Sequence, residues 1–301
     1  MQTKFYVSSI IVALSMVASI AHASEVTLSY KGLTLNAGLD LATGKKPADG
    51  VILITHGGLA HRGMETIVYL QELFKERGYN TLAINLSLGL DNRHGMYDCK
   101  VTHRHRNADA ADEIGGWVGW LKAQGVRHVT LLGHSRGGAQ TALYAAEHDS
   151  AAVKAVVLMA PATRGESDAA AYQRRYNTPL APVLAKAQKL VKDGNGGGVM
   201  EHANLLNCAD TSVTAAAFVS YYGPDARVDT PDLIPKLRKP TLIVVAGNDE
   251  VVVGLDKEVE ILADGEHVQM KIVEGADHTL RDLYSDEAVD AIEVFLKGVG
   301  Y

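Results

Sequence analysis

The residues Gly133-His134-Ser135-Arg136-Gly137 form the part of the sequence best suited to covalent chemistry. A serine hydroxyl attacks a carbonyl carbon when it stands clear of its surroundings, as on a sharp turn between a strand and a helix. Glycine two positions before and two after the serine permits such a turn, because a side chain there would meet neighbouring backbone. The pattern predicts that Ser135 is a nucleophile. The alternative is a glycine-rich turn around an incidental serine.

A serine nucleophile requires a general base, and the base requires an acid that orients its ring. Asp249 follows the apolar run 241–246, and His278 follows the apolar run 268–273. If both runs are strands of one parallel sheet, the two side chains leave the sheet at the same edge as Ser135. We therefore predict that His278 is the base and Asp249 the acid.

Other carboxylates keep the choice of acid open. Glu250 and Asp256 lie close to Asp249 along the chain, and Asp168 would follow the preceding strand. Asp277 directly precedes the predicted base and is too near in sequence to orient the imidazole easily. We interpret Asp277 as a loop residue.

The attacked carbonyl oxygen becomes negatively charged and needs hydrogen-bond donors, which together are called an oxyanion hole. The backbone N–H of Arg136, which directly follows the nucleophile, is one expected donor. The second is expected from the loop at 55–59, with Gly58 as first choice and Leu59 as second. The side chain of Arg136 either attracts an anionic group or is solvated.

Uninterrupted apolar runs alternate with helical patterns along most of the chain. A strand that is apolar on both faces belongs in a parallel sheet covered by helices, and the alternation gives right-handed crossovers. Residues 26–30 and 33–41 alternate around a Lys-Gly turn and predict a hairpin. The sequence thus predicts an α/β protein with a doubly wound, mostly parallel sheet. The expected strands are 51–54, 81–86, 129–132, 153–159, 240–246 and 268–273, and the expected helices are 64–77, 114–121, 140–147 and 288–296.

The stretch 162–239, called the insertion below, breaks this rhythm. It has helical patterns at 180–191 and 212–219 but no apolar strand, and it is too long for a plain connection. We predict a helical lid inserted after the sixth strand, between the core segments 24–161 and 240–301. Four of its apolar residues are expected to line a pocket over the nucleophile: Leu180, Val183, Leu184 and Phe218.

The segment 1–23 has the pattern of a cleavable signal peptide. Lys4 gives a short positive region, residues 7–20 are apolar apart from serine, and the segment ends in Ala-His-Ala. The apolar part is shorter than the ~20 residues that span a bilayer, although an uncleaved anchor is the alternative. We predict cleavage after Ala23, a secreted or periplasmic protein, and no stable membrane insertion afterwards.

The chain contains two cysteines, Cys99 and Cys208. Disulfides form and persist in oxidising compartments outside the cytosol. For an exported chain we therefore expect a bridge between these residues, which would tie the insertion to the core. Two free thiols are the alternative.

A polar segment at 88–106, called the histidine loop below, contains His94, His103 and His105 besides three arginines. A metal site formed by these histidines with Cys99 is conceivable, but their spacing matches no standard ligand pattern. We favour either a binding surface for an acidic substrate group or a solvated surface.

The sequence His56-Gly57-Gly58, the turn around Ser135, and the late residues Asp249 and His278 together resemble the α/β-hydrolase superfamily. The resemblance covers nearly all of the chain after residue 23, and the insertion stands where members carry a lid. It implies an esterase-like or lipase-like serine hydrolase that works through an acyl-enzyme, with no metal and no organic cofactor. Haloalkane and epoxide members use a carboxylate as nucleophile, so the serine argues against them.

These observations leave three functions open. The first is an exported hydrolase of a carboxylic ester or thioester, whose partner is a small acyl substrate. The second is a serine peptidase or aminopeptidase of the same fold, in which Glu166, Asp168 or Glu201 would hold a peptide amino terminus. The third is a non-catalytic binding protein. Nucleic acid is not expected as a partner, because 29 basic residues face 35 acidic ones, a formal net charge of −6.

Overall fold

The structure, a computed structural model, describes residues 23–164, 166–225, 227 and 229–300. Apart from Ala23, the expected signal peptide lies outside these residues. None of the helices within them has both the length and the apolar content needed to cross a bilayer.

One sheet of eight strands forms the centre of the fold, and a separate hairpin adds two more strands. The ten strands of the described residues are β1 (Ser24–Tyr30), β2 (Leu33–Asp40), β3 (Val51–Thr55), β4 (Thr81–Asn85), β5 (Val129–His134), β6 (Val153–Met159), β7 (Val199–Leu205), β8 (Cys208–Thr214), β9 (Thr241–Ala246) and β10 (Val268–Val273). The central sheet has the order β1-β2-β4-β3-β5-β6-β9-β10. β2 pairs antiparallel with β1 and with β4, and all other neighbours are parallel. The predicted doubly wound, mostly parallel sheet with its initial hairpin is confirmed.

Helices cover both faces of this sheet, as a strand buried on both sides requires. The helices are α1 (Glu65–Glu76), α2 (Asp109–Ala123), α3 (Arg136–Glu147), α4 (Glu166–Tyr176), α5 (Leu180–Lys192), α6 (Ala215–Tyr222), α7 (Thr230–Leu233), α8 (Leu255–Glu260) and α9 (Leu283–Gly298), with two 3-10 turns at Pro47–Asp49 and Ile234–Lys236. α1 and α9 pack on one face through residues such as Phe74 and Phe295. α2, α3 and α8 pack on the other face, with Trp117 fully buried.

The register of the sheet positions the predicted nucleophile. Gly133 of β5 pairs with Thr55 of β3 on one side and with Leu158 of β6 on the other. All three strands therefore end at the same level. The loops that leave their carboxyl ends meet at one edge of the sheet, where ligands bind in folds of this type.

Between β6 and β9, the insertion contains α4, α5, α6, α7 and the antiparallel hairpin β7–β8. The expectation of helices alone was incomplete, and Ser212 lies in β8 rather than at the start of a helix. Both strands of the hairpin mix buried with exposed positions, so they lack the apolar run that marks a central strand. The role of the insertion as a lid stays a prediction.

The insertion is attached to the histidine loop by covalent and hydrogen bonds. The predicted disulfide between Cys99 and Cys208 is confirmed. The N–H of His103 donates to the carbonyl of Ser212 at 2.8 Å, and the N–H of Thr214 donates to the carbonyl of His103 at 2.9 Å. The histidine loop therefore joins the hairpin β7–β8 to the central sheet.

Candidate active site

Ser135 lies on a sharp turn between β5 and α3, with φ 57° and ψ −128°. Non-glycine residues rarely adopt a positive φ, and such backbone strain concentrates at functional sites. A Cβ atom at Gly133 would overlap the carbonyl oxygen of Gly137, and a Cβ atom at Gly137 would overlap that of His56. Glycine is therefore required at both positions, as the pattern around the serine predicts.

The three predicted catalytic side chains form one continuous chain of hydrogen bonds. Nε2 of His278 lies 2.8 Å from Oγ of Ser135, and Nδ1 of His278 lies 2.7 Å from Oδ2 of Asp249. Both distances are those of good hydrogen bonds. The structure thus brings together the predicted nucleophile, base and acid in the loops that follow β5, β9 and β10.

The environment of Asp249 keeps its carboxylate ionised. Burial by itself raises the pKa of Asp249, since only 4% of the side chain is exposed. The hydrogen bond with His278 and the backbone N–H groups of Val252 and Val251 outweigh burial, so the pKa is lowered from its ordinary value. The two N–H groups donate to Oδ1 at 2.8 and 2.7 Å. Oδ2 is left for the imidazole, which suits an orienting acid.

The other carboxylates weighed as the acid lie elsewhere. Asp168 sits on α4, where its carboxylate lies 3.7 Å from Nε of Arg164. Asp277 accepts hydrogen bonds from the backbone and the hydroxyl of Thr279, which fits the interpretation as a loop residue. Glu250 is exposed, and Asp256 belongs to α8. Asp249 is the carboxylate that contacts the predicted base.

His134, to which the sequence analysis gave no role, holds the loop that carries the predicted base. Its Nε2 lies 2.8 Å from the carbonyl oxygen of His278, to which it donates. Burial, together with the nearby imidazole of His278, lowers the pKa of His134 to about 4, so the ring is neutral at pH 7. The one feature of the sequence that could have suggested a role for His134 is its position directly before Ser135. That its partner would be the carbonyl of His278, in the loop after β10, could not be read from the sequence.

The loop after β3 places Gly58 beside the nucleophile. Gly58 has φ +49° and lines the same cavity as Ser135 and Arg136. The side chain of Leu59, the second choice for an oxyanion donor, is buried in the core with 2% exposure and does not line that cavity. Among the described residues, no hydrogen bond occupies the backbone N–H of Gly58, of Leu59 or of Arg136. Their role as oxyanion donors stays a prediction.

A buried histidine fixes this loop. Nε2 of His56 accepts a hydrogen bond from the backbone N–H of Leu86 at 3.1 Å, and its Nδ1 lies 3.2 Å from the carbonyl of Gly57. Burial, with the charge of Arg93, lowers the pKa of His56 to about 3. Arg93 is itself buried and donates to the carbonyl of Ala60 at 2.9 Å. The loop after β3 is thus held against the end of β4.

A cavity of about 210 Å³ opens beside Ser135 between the core and the insertion. The four apolar residues expected to line it do not do so, because they pack in the insertion's own hydrophobic core. The wall that the insertion contributes consists of tyrosines and polar or charged residues together with two alanines and one leucine. These lining residues are Ala162, Thr163, Asp168, Ala171, Tyr172, Arg175, Tyr176, Leu206, Asn207 and Tyr222, and the core adds Gly58, Arg136, Val251 and Val252.

The histidine loop does not form the conceivable metal site. Cys99 is bonded to Cys208 and has no free thiolate. Nδ1 of His103 lies 3.1 Å from Nε2 of His105, and burial lowers the pKa values of the two rings to about 4 and about 3. His94 lies apart, half-exposed, 2.9 Å from Glu25. The two buried rings pack between the core and the insertion. For His103 and His105, the expectation of a binding surface for an acidic group and the expectation of a solvated surface are therefore both wrong.

Comparison with known proteins agrees with this geometry. Residues 50–182 match the protein family described as alpha/beta hydrolase fold. The chain has this fold.

Solved structures that resemble this chain include Est1E from Butyrivibrio proteoclasticus, with a TM-score of 0.62 and 18% identity over 91% of this chain and 98% of that one. The esterase domain of a Rhodothermus marinus protein has a TM-score of 0.58 and 17% identity, covering 92% and 99% of the two chains. A monoacylglycerol lipase of Paleococcus ferrophilus has a TM-score of 0.62 and 18% identity, covering 88% and 99%. No curated protein sequence is significantly similar to this chain.

Proposed function

We propose that this protein is an exported serine hydrolase that cleaves a carboxylic ester or thioester through an acyl-enzyme on Ser135. The observation that carries the proposal is the hydrogen-bonded chain from Ser135 through His278 to Asp249, with distances of 2.8 and 2.7 Å. An esterase domain and a lipase among the structures of the same fold add support.

In the acylation step, Nε2 of His278 accepts the proton of the Ser135 hydroxyl while Oγ forms a bond to the substrate carbonyl carbon. Asp249 stabilises the imidazolium that results. The carbonyl oxygen gains the negative charge and accepts hydrogen bonds from the backbone N–H groups of Gly58 and Arg136. The tetrahedral intermediate then expels the alcohol or thiol, which takes the proton from His278, and the acyl group remains on the serine.

Deacylation repeats these steps with water as the nucleophile. His278 removes a proton from the water, the hydroxide oxygen bonds to the acyl carbon, and the bond to Oγ of Ser135 breaks. The proton returns to the serine, and the carboxylic acid leaves. The neutral His134 donates to the carbonyl oxygen of His278 at 2.8 Å and so supports the backbone that carries the base.

The cavity supports a small substrate. Its volume of about 210 Å³ lies below the ~300 to 1,000 Å³ of pockets for drug-sized ligands. Tyr172, Tyr176 and Tyr222 give it an apolar wall with polar edges. The disulfide between Cys99 and Cys208 fits an oxidising compartment, which supports export.

Labelling with a fluorophosphonate tests the serine mechanism directly, because the reagent phosphonylates an activated serine. We expect one adduct on Ser135 in the mature protein, found by peptide mass spectrometry, and loss of labelling in Ser135→Ala. Ser29→Ala, at an exposed position of β1, is the matched control and should label normally. A folded wild-type protein that stays unlabelled and hydrolyses no ester would favour the non-catalytic binding protein.

A serine peptidase is the second candidate, because Asp168 lines the cavity and would attract a peptide amino terminus. Its pairing with Arg164 at 3.7 Å weakens that attraction. Glu201 is exposed and accepts a hydrogen bond from the hydroxyl of Ser212. The side chain of Glu166 lies outside the described part of the chain. We expect hydrolysis of short-chain esters and none of aminoacyl 4-nitroanilides. The opposite preference would establish the peptidase.

A further inference from the structure

The guanidinium of Arg136 lines the cavity beside the nucleophile and has no place in the mechanism above. The mechanism uses only its backbone N–H. Arg136 is half-buried, and among the described residues its side chain has no salt bridge and donates no hydrogen bond. The ring of Tyr221 lies 5.6 Å from the guanidinium carbon. The positive charge of Arg136 also acts on Asp168 across the cavity and opposes the increase in the pKa of that carboxyl that burial causes.

A rigid support orients this guanidinium. The hydroxyl of Tyr221, a buried residue, lies 2.7 Å from Nδ1 of His105. His105 in turn lies 3.1 Å from His103. The aromatic ring beneath Arg136 is therefore held by the histidine loop, which reduces the freedom that the arginine would lose on binding a ligand.

The other charged residues around the cavity make direct polar contacts with the protein. Asp168 lies 3.7 Å from Arg164, whose guanidinium also donates to the carbonyl of Tyr221 at 2.9 Å. Arg175 donates to the carbonyl of Leu206 at 2.5 Å. The cavity wall thus carries two cations and one anion. Asp168 faces the charges of both Arg136 and Arg164, so one carboxylate is shared between two guanidinium groups, and Arg136 is the one without a salt bridge or a hydrogen bond.

We propose that Arg136 binds a carboxylate on the substrate, so that the preferred substrates are small esters that carry a second, ionised carboxyl group. This inference rests on the proposed function. A guanidinium binds a carboxylate through two parallel hydrogen bonds, which are stronger than those between neutral groups. A neutral substrate of the same shape offers the guanidinium no hydrogen-bond acceptor in a partly desolvated cavity, which costs binding energy.

Two pairs of esters test the proposal and distinguish where the carboxylate is carried. Monomethyl glutarate and methyl pentanoate differ by a carboxylate in place of a methyl group on the acid portion. 4-Acetoxybutanoate and butyl acetate differ in the same way on the alcohol portion. Hydrolysis is followed by proton release at constant pH 8. In at least one pair we expect kcat/KM to be about 10-fold to 100-fold higher for the anionic ester, which corresponds to one charge-assisted interaction.

Arg136→Gln should lower this ratio of kcat/KM values to near one in the preferring pair, and Arg136→Lys should keep part of it. Arg127→Gln removes the same charge at an exposed position before β5 and should leave the ratio unchanged. Fluorophosphonate labelling of each variant shows that its site is folded.

Three results would overturn the inference. The first is a wild-type ratio of one or less in both pairs, with neutral esters hydrolysed, which leaves the proposed function intact. The second is a loss of preference in Arg175→Gln but not in Arg136→Gln. The third is the absence of both labelling and hydrolysis of all four esters, which overturns the proposed function as well.

Discussion

Replacing Cys99 and Cys208 together with alanine removes the covalent bond between the histidine loop and the insertion. The two residues are 109 positions apart. The bond lowers the conformational entropy of the unfolded chain, and for a closed loop of that length the chain-entropy relation gives a decrease of about 16 cal/mol/K. This decrease corresponds to about 5 kcal/mol of stabilisation at 25 °C. Because small proteins are stable by about 5 to 15 kcal/mol in total, we expect a large decrease in the free energy of unfolding.

Urea unfolding followed by the fluorescence of Trp117 and Trp120, which lie on α2, measures this loss. The variant should unfold at a much lower urea concentration than the oxidised wild-type protein. Wild-type protein in a reducing agent should behave like the variant. Because the reduced protein keeps both sulfur atoms, this control distinguishes the effect of the lost covalent bond from the effect of lost side-chain packing. The variant itself should be insensitive to the reductant.

Replacing both cysteines should also affect the binding of substrate in the cavity. Leu206 and Asn207 line it and directly precede Cys208 in the turn between β7 and β8. We expect a higher KM for ester substrates, with labelling of Ser135 by a small fluorophosphonate preserved. A loss of unfolding free energy below about 1 kcal/mol, far under the entropic value, would refute the reasoning. The backbone hydrogen bonds of His103 would then be sufficient to hold the hairpin.

Three further outcomes follow from the site. Asp249→Asn should lower kcat for ester hydrolysis about 10⁴-fold, the effect of losing the orienting acid of a serine triad; a loss below tenfold would show that another group orients His278. Gly57→Ala should lower both kcat and the melting temperature, because the new Cβ would lie 2.8 Å from Cβ of Ser135; unchanged values in both assays would contradict that close approach. The folded-state pKa of Asp249 lies below its ordinary value, so the stability it contributes is present above about pH 4 and is lost as the pH falls through the folded-state pKa. The difference in unfolding free energy between wild type and Asp249→Asn should therefore shrink between pH 7 and pH 3, and a constant difference would exclude this linkage.

The meeting of Ser135, Asp249 and His278 could be predicted from the sequence for a physical reason. Each follows an apolar run, buried strands of this kind pair in parallel, and parallel strands all end at one edge. The prediction that the three side chains meet therefore requires no knowledge of the conformations of the loops that carry them. Their catalytic roles stay a prediction that labelling and kinetics test.

The walls of the cavity could not be predicted in the same way. Tyr172 and Tyr176 are four residues apart on α4, so they share one face of the helix. Spacing alone does not tell whether such a face points into a core or into a cavity. Leu180 and Phe218 were expected in the wall because they are apolar, but the insertion is large enough to bury them in a core of its own.

The hairpin β7–β8 and the role of the histidine loop were missed for a related reason. Strands β7 and β8 contain exposed polar residues, and β7 begins with an exposed valine, so their pattern is weak. His103 and His105 are fully or nearly fully buried, with 0% and 3% exposure. A run of histidines and arginines in a sequence is typical of a solvated surface. The burial depends on contacts with Tyr97, which stacks on His103, and with Tyr221, which lies against His105, and neither contact can be read from the sequence.

The attachment of the insertion to the histidine loop limits how this fold can be re-engineered. The bridge from Cys99, the strand-like pairing of His103 with Val213, and the bond from His105 to Tyr221 all cross from one segment to the other. A chimaera that grafts residues 162–239 onto another sheet of this type would leave these groups without counterparts. The transplantable module consists of both segments, and a donor scaffold would have to accept them as a pair.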